Sequence, residues 1–177
     1  MRAAFRTTVP VTALVSVLFR LAVAGFPPSQ AKAIDSIVLA RTACRGICPI
    51  YELRIVRTGQ VTFASHGPGD STRAAARLPQ SAVDSLLAEV NRARFFELPA
   101  RIVDDPALCS QRSADLPAAI ITLYRRGHAR RVEDDLGCRS GLEPSLAPRL
   151  ADLRHLEDAI DRIAGSSRWV RSGGVKR

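Results

Sequence analysis

The chain has no apolar run of the roughly 20 residues a membrane-spanning helix needs. Its best stretch, Thr7 to Phe19, is closed off by Arg20. It shows no internal repeat and no long low-complexity tract, which sets aside solenoids, arrays and structureless linkers. G-x-S-x-G is absent and with it the nucleophile elbow; D-x-D-x-D-G is absent and with it the calcium loop of an EF-hand. C-x-x-C, the usual redox dithiol, does not occur, and no lipobox cysteine follows the apolar run. Lysine is nearly missing, 2 against 24 arginines. That bias reads as a GC-rich genome more simply than as phosphate recognition.

What is present begins with a leader pattern. Arg2 and Arg6 give a positive start, the apolar run follows, and Ala22-Val23-Ala24 and Ala31-Lys32-Ala33 offer small-residue cleavage sites. This is the layout of a secretory signal peptide over residues 1–33. Retention as an N-terminal anchor and a cytosolic location are the competing readings. Export predicts a periplasmic or secreted product with no integral membrane span in the mature chain.

The formal charge of +9 invites a nucleic-acid reading, but its distribution opposes it. Every acid lies between Asp35 and Asp161, and eight basic residues lie in the leader or from Arg168 onwards, leaving 18 basic residues against 17 acids. Such an interspersed, nearly neutral body lacks the basic face that displaces counterions from nucleic acid.

Residues 34–170 read as a single domain. Ile34 to Arg41 is rich in β-branched residues. Pro49 to Arg57 alternates, with Tyr51, Leu53 and Ile55 on one face, and Gln60 to His66 continues after a turn at Thr58-Gly59. H-G-P-G-D at 66–70 ends that strand. A helix follows, with Val83, Leu86, Leu87 and Val90 at i, i+3, i+4, i+7 and a weak cap from Ser81 and Asp84. Phe95-Phe96 anchors its end. Residues 97–117 form a loop, and a second hairpin pairs Ala118–Arg125 with Ala129–Asp135. A helix over 147–164 carries Leu150, Leu153, Leu156, Ile160 and Ile163 on one stripe, Gly165 ends it, and Trp169 folds back on it. The tail, 171–177, is expected to be disordered. The order βββ-α-ββ-α predicts an α+β fold, a mainly antiparallel sheet of about five strands covered by two helices.

Four cysteines in an exported chain suit disulfides. Of three possible connectivities the spacing favours Cys44–Cys48, with Gly46 letting the chain double back, and Cys109–Cys138 across the mouth of the second hairpin. The rival uses are less well served. A redox dithiol has two intervening residues and a following helix, whereas here there are three, and a proline leading into a strand. Zinc wants two close-spaced ligand pairs, and neither the cysteines nor the three histidines supply them.

C-R-G-I-C-P-I-Y at 44–51 resembles the opening signature, C-x-G-x-C-P-x-Y, of an uncharacterised and mostly bacterial domain family. The likeness continues through G-x-V-x-F at Gly59 to Phe63, Phe95-Phe96, Asp115-Leu116-Pro117, and Leu156-Glu157 with Ile160-Asp161. It spans about residues 34–170. Arg45 stands where the family usually has an aromatic residue. The resemblance implies one domain starting near Ile34 and carries no activity with it.

Other sites read as surface chemistry. Glu133-Asp134-Asp135 with Asp104-Asp105 supplies carboxylates for calcium or for acid–base hydrolysis, but nothing fixes their separation. His66, His128 and His155 lack a neighbouring nucleophile or orienting group. Arg45, Gly46, Tyr51 and Asp115 remain as a candidate interaction surface, Tyr51 alternatively as a core residue with a bonded hydroxyl and Asp115 as a turn former. No catalytic, metal or cofactor residue is assigned. The sequence therefore predicts a disulfide-stabilised binding or structural module for an unknown protein or cell-envelope partner. A thiol oxidoreductase at Cys44 and Cys48, or a carboxylate hydrolase, is the alternative.

Overall fold

Period-two alternation decides which way each strand faces, and the strands pair accordingly. The computed structural model describes residues 33–140 and 147–170. The tail and, save Ala33, the leader lie outside these. Strands β1 (Ser36–Arg41), β2 (Tyr51–Val56), β3 (Gln60–Ser65) and β4 (Arg73–Arg77) form an antiparallel meander. Strands β6 (Ala118–Arg125) and β7 (His128–Asp135) add to its other side, giving the order β4-β3-β2-β1-β6-β7. Two-residue strands β5 (Gln111–Arg112) and β8 (Cys138–Arg139) make a second small sheet.

Helices α1 (Gln80–Arg92) and α2 (Ala147–Ala164) cover one face of the large sheet. Ile37 and Leu39, Leu53 and Ile55, Val61 and Phe63, Ile121 and Leu123, and Val132 all point into that layer. They meet Val83, Leu86, Leu87 and Val90 of α1 and Leu150, Leu153, Leu156 and Ile160 of α2. Removing this apolar area from water, at roughly 25 cal/mol per Å2, does most to hold the layers together. The α+β reading holds. Phe95 is fully buried, and Gly165 ends α2 in the left-handed conformation at φ 70°. A Cβ there carries the usual left-handed penalty. Trp169 returns to the core, but its ring meets Phe63 of β3 at 5.4 Å between centroids.

Three local features differ from expectation. Strand β4 occupies a stretch, R-A-A-A-R, whose residues favour helix. Asp70 builds the turn that returns it to β3, accepting from Ser65 Oγ (2.7 Å) and from Thr72 N–H (3.0 Å). Strands β5 and β8 are too short to leave a periodic signature. The expected cap is also wrong: Pro79 occupies the N-cap position, and no side chain caps the helix. Ser81 is the second residue of the helix and so carries one of the orphan N–H groups that a cap serves, instead of standing ahead of them.

Among the described residues no helix is long and apolar enough to cross a membrane.

Candidate functional site

Strand direction collects the unusual residues at one end of the sheet. There β1 and β7 finish and β2 and β6 begin, so the 42–50 loop, the 113–117 loop and the β7–β8 turn are neighbours. Both disulfides sit at this end. Cys44 and Cys48 bridge the first loop with Cα atoms 5.7 Å apart, and Cys109 and Cys138 tie the small sheet with Cα atoms 4.9 Å apart. Close backbone approach knits the loops together: Ser113 N–H donates to Gly137 O, and Leu136 N–H donates to Pro117 O. A Cβ on Gly137 would lie 2.2 Å from Ser113 O, so that position admits glycine alone.

The 42–50 and 113–117 loops are joined directly. Arg45 N–H donates to Asp115 O at 3.2 Å, and the Arg45 guanidinium reaches the Asp115 carboxylate at 3.2 Å. Asp115 adopts φ 73°, a left-handed conformation that aspartate tolerates better than most residues. Beside this pair stand Ile47, 75 % exposed, and Leu116, 50 % exposed, the only large hydrophobics so exposed among the described residues. Gly46 corrects one expectation. Its φ lies outside the left-handed region and a Cβ would meet only Cys44 Sγ at 3.8 Å, so ring closure does not require glycine.

Beneath the loops lies a buried polar cluster. Arg41, the last residue of β1, faces inward behind Ile37 and Leu39. Its guanidinium donates to Glu157 Oε2 (3.0 Å) and to Asp161 Oδ2 (2.9 Å) on α2. Tyr51, the first residue of β2, is 5 % exposed, and its hydroxyl donates to Asp161 Oδ1 at 2.6 Å. Ser166 Oγ donates to the same oxygen at 2.7 Å. Alongside, Asp134 of β7 accepts from Arg154 Nε at 2.8 Å, and Arg154 Nη2 donates to Cys138 O at 2.8 Å.

Three buried or half-buried carboxyls thus share two guanidiniums. Burial, then the nearby Asp134 charge, pushes Glu157 up to about 8, against the pull of Arg41. In its protonated form Glu157 leaves Arg41 to Asp161 and Arg154 to Asp134. Its Oε1 has no hydrogen-bond partner among the described residues, which an uncharged acid bears at lower cost than a carboxylate. Burial also raises Asp134, opposed by Arg154. Tyr51 is pushed up to about 12 by burial and by its bond to Asp161. Arg41 loses some basicity to burial but gains more from Glu157 and Asp161, so it stays charged.

The family model described as a domain of unknown function, DUF6438, matches residues 35–164. The chain belongs to that family. No curated protein matches it significantly. The DUF6438 match runs from just before β1 to the end of α2, enclosing both disulfides and all of the polar cluster except Ser166.

Within the DUF6438 domain the acids considered for calcium or hydrolysis each take a separate partner. Asp104 pairs with Arg101, Asp105 accepts from Ala107 N–H, Glu133 pairs with Arg131, Asp134 with Arg154, and Asp135 with Arg112. Among the described residues no group of three or more His, Cys, Asp or Glu could hold a metal ion. Of the candidate surface residues, Arg45, Gly46 and Asp115 lie together outside, whereas Tyr51 lies beneath them with its hydroxyl bonded. The Arg41–Glu157–Asp161 cluster was missed as such, though a signal for it existed. Leu153, Glu157, Ile160 and Ala164 are spaced four, three and four apart, so Glu157 sits on the buried stripe and needs a partner. Arg41 follows Ile37 and Leu39 with strand period, which aims it at the same layer.

Proposed function

We propose that the chain is an exported, disulfide-braced binding module whose contact surface is the loop pair carrying Arg45, Ile47, Asp115 and Leu116. The observation that carries this reading is the placement of the two most exposed large hydrophobics among the described residues on adjoining loops held by a disulfide, a backbone hydrogen bond and an ion pair. Apolar side chains on a rigid base lose little conformational freedom when a partner covers them, so more of the burial energy appears as affinity. Export is supported by the leader pattern and by four cysteines all engaged in disulfides, bonds that persist in oxidising compartments.

The test places a photo-crosslinking residue at position 47, at 116, and at 131 on the uncovered sheet face, in cells of the source organism. The same discrete adduct from 47 and 116, absent from 131, is expected. Equal labelling from all three positions, or none from 47 and 116, overturns the contact surface. Thiol alkylation of the native protein tests the brace: four blocked cysteines are expected, and two reactive ones would favour the oxidoreductase.

A further inference from the structure

A cleft of about 510 Å3 opens between α2 and the residues of β8, with Arg139, Ser140, Arg154 and His155 supplying polar groups and Leu150 and Ala151 apolar ones. That volume falls within the range of small-molecule sites, about 300–1,000 Å3. We propose that this cleft binds a small organic anion, its carboxylate or phosphate seated on Arg154 and Arg139 and its apolar part against Leu150 and Ala151.

Arg154 is the centre of this site. Its Nε and Nη2 are committed to Asp134, which is fully buried, and to Cys138 O, so the guanidinium plane is fixed before any ligand arrives. Nη1 takes no partner among the described residues. An arginine oriented by a buried carboxylate and left with free donors on one side is a pre-organised anion seat. Arg139 follows Cys138, whose disulfide to Cys109 and pairing in the small sheet fix the backbone there. Its exposed side chain has no hydrogen bond or ion pair among the described residues. Asp158 is the acid on the lining; it is exposed and lies 3.9 Å from Arg41 Nη2, so solvent and that guanidinium both screen its charge. Of the remaining polar groups on the lining, Ser140 adds a hydroxyl donor, while His155 Nε2 lies 3.5 Å from Glu89 Oε2 on α1.

The experiment is an amide NMR titration of the full chain with sodium phosphate, acetate, phenylacetate and the neutral analogue phenylacetamide, at constant ionic strength. Saturable shifts at Arg139, Ser140, Ala151, Arg154 and His155 are expected with an anion and not with phenylacetamide. The phosphate and phenylacetate arms distinguish the head groups. Arg154→Lys keeps a charge on Asp134 but loses the free planar donors, and should weaken binding about 10-fold, the size of one charge-assisted hydrogen bond. Arg139→Ala, at an exposed position, should weaken it about 3-fold, and it decides alone if Arg154→Lys does not fold. No saturation, equal shifts with phenylacetamide, or wild-type affinity in the folded variants overturns the proposal.

Discussion

Arg41 and Tyr51 face each other across β1 and β2, and both reach the carboxylate of Asp161 on α2. They are also the residues from which the 42–50 loop departs and to which it returns. The loop is therefore closed twice, by the Cys44–Cys48 disulfide within it and by a shared carboxylate at its base. A helix more than a hundred residues away in sequence holds both of its feet.

Tyr51→Phe tests that anchor. Removal of the hydroxyl leaves Asp161 Oδ1 with Ser166 alone. The expected loss is about 1–2 kcal/mol of unfolding free energy, read by urea denaturation at pH 7. Faster amide exchange across 42–50 should accompany it. An unchanged midpoint and unchanged exchange would show that the hydroxyl anchors nothing.

Stability should fall as pH rises. The groups that act on Glu157 are Arg41 from β1, Asp134 from β7 and Arg154 from its own helix. Its folded value, raised to about 8, exceeds that of an unfolded glutamate, so folding takes up a proton between the two. The contribution is complete below the unfolded value, near 4.5, and is lost as pH climbs through about 8. Asp134, also raised, acts in the same direction. In that window the slope should approach about 1.4 kcal/mol per pH unit from Glu157. Glu157→Gln should flatten it, giving a variant more stable than wild type at pH 9. A wild-type slope in the variant would rule out Glu157 as its source.

The two disulfides should differ in worth. Chain-entropy arguments give about 2 kcal/mol for the Cys44–Cys48 ring and about 3.5 kcal/mol for Cys109–Cys138. Paired alanine variants, compared by equilibrium denaturation without reductant, should rank in that order. The reverse order would mean that the loop staple matters more to the fold than ring size allows.

Gly46→Ala should be tolerated or stabilising by up to about 1 kcal/mol, because the site has room and the unfolded chain loses freedom. Arg45→Ala should leave stability within about 0.5 kcal/mol, since its ion pair with Asp115 is exposed. Thermal melts of both variants check this. A large loss from either would make the loop a structural element of the fold.

Much of the architecture was legible because period-two and period-3.6 patterns report burial directly. Tyr51, Leu53 and Ile55 alternate as a half-buried strand must, and Leu150, Leu153, Leu156 and Ile160 recur as one face of a helix must. Strand β4 was not legible, because R-A-A-A-R has no strand pattern and acquires its conformation only by pairing with β3. The cap at Ser81 misled for a related reason: a hydroxyl near a helix start is common, and Pro79 already sets the backbone angle there.

The sequence by itself determined the two layers and the inward faces, since both follow from local periodicity, and it favoured one of three cysteine pairings that the structure then shows. It also named Arg45, Gly46, Tyr51 and Asp115 without saying which of them sit together. Only the tertiary structure decided that Arg45 and Asp115 meet outside while Tyr51 joins Arg41, Glu157 and Asp161 inside. Charges come into register across strands and helices only after the apolar faces have packed, so their partnerships belong to the assembled layers.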